Sequence, residues 1–153
     1  MLEYKIEELK LENLDEAIKV IETTFMKFEA PDYLKEGIEN FFKFANNETI
    51  KENLKRNMKM YVAKVNEKIV GVIGYRDNSH INLLFVLEEY QHNGIAKALY
   101  NLVIDNCKNV DTKRVTVNSS PYAHDVYLKF GFTDANKMQE IDGIKFYPMY
   151  KEI

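Results

Sequence analysis

The chain holds one cysteine, three prolines and six glycines in 153 residues, and no apolar run approaches the length of a membrane span. The lone Cys107 excludes an intramolecular disulfide and most cysteine-rich metal sites, and it points to a reducing, cytoplasmic setting. Pro31, Pro121 and Pro148 stand far apart, and no Pro-, Gly- or Ser-rich linker divides the chain. Excess positive charge is missing too: 21 Lys and Arg face 24 Asp and Glu, a formal net charge of −3. That balance gives no electrostatic reason to expect a nucleic-acid partner. The first ten residues are acidic and amphipathic, unlike a signal peptide. What is present suits one domain over residues 1–153, with 46% hydrophobic residues for a core and 29% charged residues for a solvated surface.

The hydrophobic periodicity orders the elements. Tyr4 to Leu9 reads as a first strand. Leu14, Ala17, Ile18, Ile21, Phe25 and Phe28 recur at three and four residues, a helix stripe with Asn13 as its expected N-cap. Ala30-Pro31-Asp32 breaks that helix. A second helix is expected from about Leu34 to Ala45 and a short third one over Thr49 to Asn57. Met60–Val65 and Ile69–Tyr75 form a hairpin about Asn66-Glu67-Lys68, and His80–Leu87 is apolar enough for a central strand covered on both faces. A helix follows with Ile95, Ala98, Leu99, Leu102, Val103 and Cys107 inward, then a strand at Arg114–Val117. A shorter helix carries Ala123, Val126, Tyr127 and Phe130 and ends at Gly131. Two closing strands, Lys137–Ile141 and Ile144–Tyr150, flank Asp142-Gly143. This order predicts a mixed sheet with helices on both faces.

The segment Leu84 to Lys97 carries the strongest chemical signal. A buried strand ends in a turn containing Gly94, and the turn opens directly into a helix. Backbone N–H groups at such a helix start lack partners and lie at the positive end of its dipole, which suits a pyrophosphate. Gly94 leaves space where a side chain would intrude, and Ala96 is the next smallest choice. No G-K-[ST] follows Gly94, so the turn is not a nucleotide-binding P-loop.

Two motifs in order extend the signal. Leu84-Phe85-Val86 precedes Gln91-His92-Asn93-Gly94-Ile95-Ala96, and Val117-Asn118 precedes Ala123 and Tyr127 through Phe132. Together they resemble the GCN5-related N-acetyltransferase family, with the match running from about Leu83 to Phe132. Ala96 stands where many relatives have a second glycine, and no proline follows Val86. The resemblance implies an α/β fold of mixed α+β type, its sheet mostly antiparallel and splayed, with helices on both faces. It implies acetyl-CoA as co-substrate, and no metal is called for. Amides of His92, Asn93, Gly94, Ile95, Ala96 and Lys97 would hold the pyrophosphate, with Gln91 at the mouth. Leu84, Phe85 and Val86 would splay from the neighbouring strand at a bulge and pair with the pantetheine arm. The Val86 N–H would donate to the oxyanion, Asn118 would bond the pantetheine, and Tyr127 would return a proton to the sulfur.

The expected activity is transfer of an acetyl group to a primary amine of a small molecule or peptide, directly within a ternary complex. A non-catalytic acyl-CoA-binding or regulatory module on the same fold is the alternative. Glu29 and His80 are the candidate general bases; a surface acid and a hydrogen-bonded strand-end histidine are the ordinary readings of the two. Glu88 and Glu89 read as a solvated turn, or as acids able to deprotonate an ammonium through water. Lys51, Lys55, Arg56 and Lys59 form either a solvated basic face or a contact for the CoA 3′-phosphate. His80, His92 and His124 have no spacing suited to a metal site. Homodimers are frequent on this fold, which leaves a second copy open as partner. Neither a nucleic acid nor a membrane is expected as one.

Overall fold

A computed structural model describes residues 2–153. Its central feature is β3 (Lys68–Arg76), of which every residue from Ile69 to Tyr75 is buried. Side chains alternate between faces along a strand, so this run requires cover on both sides. α1 (Leu14–Thr24) and α4 (Ile95–Asn109) both pack on β3 and supply it. Ile95 and Leu99 of α4 press so closely on Gly71 that a Cβ there would lie 3.1 Å from Ile95.

The sheet runs in the order β1-β2-β3-β4-β5-β8-β6, and β7 also pairs with β8. Its strands are β1 (Lys5–Glu8), β2 (Met58–Val65), β4 (His80–Val86), β5 (Arg114–Ser119), β6 (Thr133–Asp134), β7 (Gln139–Ile141) and β8 (Ile144–Glu152). Every pairing is antiparallel except β4 with β5. The fold is thus the mixed, mostly antiparallel one expected. α2 (Lys35–Phe44) and α3 (Asn47–Leu54) join α1 to β2, and α5 (His124–Lys129) follows β5.

Several local expectations shift. Asn13 precedes α1 but its side chain caps nothing, because a single 3-10 turn over Leu11–Asn13 leads into the helix. Asn46 does cap: its Oδ1 accepts from the Thr49 N–H at 2.9 Å, so α3 starts at Asn47 and stops at Leu54. Tyr100 and Ile104 are buried on α4, whereas Ala98 and Leu102 are half-buried, because the helix turns a broader stripe inward than the sequence suggested. The two-residue β6 was not expected, and β7 is shorter than Lys137–Ile141. The β7–β8 turn docks on α2, where the Leu34 N–H donates to the Gly143 carbonyl at 3.1 Å.

α1 does not end as a regular helix. The Thr24 hydroxyl donates back to the Val20 carbonyl at 2.7 Å, a contact that bends helices. The chain then widens into one π-helical turn over Phe25–Glu29 before the 3-10 turn at Ala30–Asp32. That wide turn buries Phe25 and Glu29 together.

Candidate active site

β4 ends with the Leu87 N–H donating to the Val70 carbonyl at 2.9 Å, and a single turn over Glu88–Tyr90 follows. His92 and Gly94 both adopt the left-handed conformation, at φ +65° and +80°. The Asn93 side-chain amide holds the loop by donating to the carbonyls of Tyr90 (3.1 Å) and Gln91 (3.0 Å). The helical ladder of α4 begins with the Ala98 N–H on the Gly94 carbonyl, so the amides of Ile95, Ala96 and Lys97 have no intrahelical acceptor. They sit at the positive end of a 15-residue helix with no acid in its first turn. A Cβ on Gly94 would meet nothing within 4 Å, so the space before these amides is open. His92, Gly94, Ile95, Ala96 and Lys97 line a cavity of about 320 Å³. Asn93 is not among its lining residues.

The other wall of this cavity is the edge of β4. β4 and β5 pair only at His80↔Thr116 and Ile81↔Val117 and then diverge. The splay expected from the sequence is present, but its bulge is not at Phe85 or Val86. Gly74 pairs with Leu83 and Tyr75 with Ile81, which leaves Asn82 as the extra residue. Antiparallel ladders alternate, so with Leu87 bonded to β3, Leu84 and Val86 turn their amides the other way, into the fork. The Val86 carbonyl is already taken by the Gln91 Nε2 at 3.0 Å. Gln91 therefore ties the strand to the loop, and its Oε1 accepts from the Tyr122 hydroxyl at 3.4 Å. Tyr122 in turn stacks on Phe28 with ring centroids 4.7 Å apart, which joins the π turn to the segment before α5.

Glu29 and Tyr127 line this cavity and also a second one, of about 160 Å³, that runs toward Asn82 and Asn118. Glu29 is buried, and that burial lifts its carboxyl to a pKa of about 7, with the Ser120 hydroxyl pulling the other way and Asp32 adding to the rise. Burial also pushes the Tyr127 phenol well above its ordinary value, and the Glu29 charge adds to it. Phe130 and Phe132 hold the Tyr127 ring edge-on. Tyr33, on the second cavity, is raised by burial first and then by Glu29 and Asp32.

His80 is not brought to this pair. It lines a third cavity, of about 480 Å³, with Arg76, Asn82 and Asn118. Its Nδ1 lies 2.7 Å from the Thr116 hydroxyl, and burial, helped by Arg76, lowers its pKa to about 4. Asn118 lines the second and third cavities and not the one at the helix start. Glu88 pairs with Lys27 at 2.6 Å. Lys51, Lys55, Arg56 and Lys59 line a separate cleft with Glu8 and Asp77. Among the described residues no three His, Cys, Asp or Glu cluster as a metal site, and no helix is long and apolar enough to cross a membrane.

Sequence reasoning missed Ser120, Asn82 and the Phe28–Tyr122 stack. Only Ser120 carried a signal, since it lies inside the second motif.

The fold has solved counterparts. PaiA N-acetyltransferase from Thermoplasma acidophilum, in complex with coenzyme A, superposes with a TM-score of 0.83 at 21% identity, over 99% of this chain and 100% of that one. A GCN5-related N-acetyltransferase from Rhodopseudomonas palustris gives 0.86 at 17% identity, over 100% and 98%. Naa50 from Arabidopsis thaliana, in complex with the bisubstrate analogue CoA-Ac-MVNAL, gives 0.71 at 18% identity, over 98% and 99%. No curated protein matches the sequence. The family model for the acetyltransferase (GNAT) domain matches residues 29–153. With most of its length matched by that model and its sheet forked between β4 and β5, the chain belongs to the GNAT acetyltransferase family.

Proposed function

We propose that the protein is an acetyl-CoA-dependent N-acetyltransferase that passes an acetyl group to a primary amine of a small molecule or peptide, directly within a ternary complex. One observation carries the reading: a buried carboxyl and a buried phenol, Glu29 and Tyr127, line both of two cavities that share Leu84 and Phe85 of β4. The cavity headed by α4 suits coenzyme A. Its open space at Gly94, its unpaired amides and its wall of inward-turned β4 amides answer a pyrophosphate followed by an amide-bearing arm.

Bound acetyl-CoA supplies the thioester carbonyl. The amides of His92, Gly94, Ile95, Ala96 and Lys97 anchor the diphosphate. The amides of Leu84 and Val86 face the arm, and the Val86 N–H donates to the acetyl oxygen as negative charge develops there. The Glu29 carboxylate accepts a proton from the incoming ammonium, for which a pKa of about 7 is well matched at neutral pH. We assign this role to Glu29 over His80, whose Nδ1 is committed to Thr116 and which does not line the cavities shared by Glu29 and Tyr127. The Tyr127 hydroxyl gives its proton to the departing sulfur; of the two protons the nitrogen loses in becoming an amide, the one taken by Glu29 passes to solvent and the one shed as the C–N bond forms restores the phenol. Holding both reactants on one sheet contributes the proximity term.

The test is thiol release from acetyl-CoA with a panel of amines, each product identified by mass spectrometry. Amine-dependent release with an acetylated product supports the reading. Calorimetric binding of acetyl-CoA without release under any amine supports the non-catalytic module instead.

A further inference from the structure

Two carboxamides stand where β4 and β5 part. Ile81↔Val117 is the last paired position between the strands, so Asn82 and Asn118 are neighbours at the opening of the fork. Neither is committed elsewhere among the described residues. Asn118 is exposed, and the Asn82 Oδ1 is buried without a hydrogen-bond partner. Buried polar atoms are normally paired, and one left unpaired calls for a functional account. Asn82 is also the bulge residue, and bulges re-aim side chains. Gly74 opposite makes room for it, since a Cβ there would come within 2.9 Å of the Asn82 Oδ1. Both asparagines line the second and third cavities, which share Phe41 and Ile144 and so continue the site away from the α4 cradle.

The charges along this trench narrow the choice. Among the described residues Glu29 is the one acid lining the two cavities, and it lies at the end shared with Tyr127. The far end carries Arg76, paired with Asp77 at 2.8 Å, and a His80 held neutral. A polyamine would spread positive charge along the trench toward Arg76, where the nearby Asp77 carboxylate is already paired.

We propose that Asn82 and Asn118 recognise a planar amide of the acceptor, so that the preferred acceptor is the amino-terminal segment of a peptide and not a polyamine or a simple alkylamine. With its Oδ1 lying against Gly74, Asn82 offers the Nδ2 donors, and the exposed Asn118 carboxamide offers both a donor and an acceptor, together the complement of a peptide group. The four steps along the strand from Val86 to Asn82 span ~13 Å. An extended peptide covers ~3.3–3.6 Å per residue, so an amine held beside Val86 brings the amide of its third or fourth residue to the pair. This inference rests on the acetyltransferase reading above.

The test uses the full chain with acetyl-CoA and a series from alanine amide to tetra-alanine amide, beside spermidine and propylamine. The expected result is a rise in kcat/KM of about tenfold or more on reaching the third or fourth residue, to a value above that for spermidine. Asn82→Ala and Asn118→Ala are each expected to flatten the series, chiefly through KM. Asn118 is exposed, so its variant keeps the test available if Asn82→Ala melts early. Spermidine matching the tetrapeptide, or an unchanged slope in the variants, overturns the inference. So does weakened acetyl-CoA binding in Asn118→Ala with the slope intact, which returns that residue to the pantetheine arm. Acetylation of amines with a flat series overturns this inference alone. If acetyl-CoA binds but no amine is acetylated, the transferase reading falls and takes this one with it.

Discussion

Glu29 and Tyr127 face the same two cavities, and burial, with the carboxylate of the first adding to it, raises the pKa of the second. The two groups are thereby set for opposite tasks. A carboxyl near pKa 7 sheds its proton at neutral pH, while a phenol raised above its ordinary value keeps its own.

For Glu29 the activity and the stability respond to pH in opposite directions. kcat/KM is expected to rise as pH increases through about 7, as the carboxyl ionises. Glu29→Gln should lose that limb and fall ~10²–10⁴-fold. The unfolded chain releases this proton near 4.5, the native chain only near 7, so native stability declines as pH climbs across that interval. Above it the buried charge costs on the order of 3 kcal/mol. Glu29→Gln should therefore melt several degrees higher than the parent at pH 8 and about equally at pH 4, read by thermal denaturation.

Tyr127→Phe should lower kcat by ~10²-fold or more while acetyl-CoA affinity, measured by calorimetry, stays nearly unchanged. The raised phenol pKa also means that no alkaline limb from Tyr127 enters the parent's kcat profile below pH 10. Unaltered turnover in the variant removes this residue from the role.

Gly94 is required for its backbone angle and for the space in front of it. At φ +80°, alanine should cost ~1–2 kcal/mol of stability. Gly94→Glu adds bulk and negative charge before the open amides and should abolish acetyl-CoA binding in a fold that circular dichroism still registers as native.

Gly37 and Gly143 form a backbone contact with no spare room. A Cβ on Gly37 would lie 2.1 Å from the Gly143 carbonyl oxygen. Gly37→Ala should cost ~1–3 kcal/mol and lower the melting temperature. Because Ile144 follows that turn and lines the two cavities proposed for the acceptor, acceptor KM should rise while acetyl-CoA affinity is kept.

The sequence made the parts built from local signals readable. Gly94 before an amphipathic helix, the Asn66-Glu67 and Asp142-Gly143 turns and the stripe of α1 each depend on neighbours within a few residues. Features that need a partner strand were hidden. The bulge at Asn82 exists only as a mismatch with Gly74 and Tyr75, and the side on which Asn118 faces depends on where the fork opens. Glu29 could be named but its burial could not, because a π turn has no sequence periodicity of its own. Gln91 lines the cavity at the helix start, but that its amide also fastens the Val86 carbonyl is a contact no local pattern announces.

The wide turn at Phe25–Glu29 has a consequence for how this segment tolerates regular winding. A regular helix advances about 100° per residue and a π turn less, so drawing the same residues into ordinary winding would carry the carboxylate roughly a fifth of a circle past its heading. A variant regularised in that way should be the sturdier of the two and the inert one. Irregular coiling at that point is the toll for delivering an acid to a dry place.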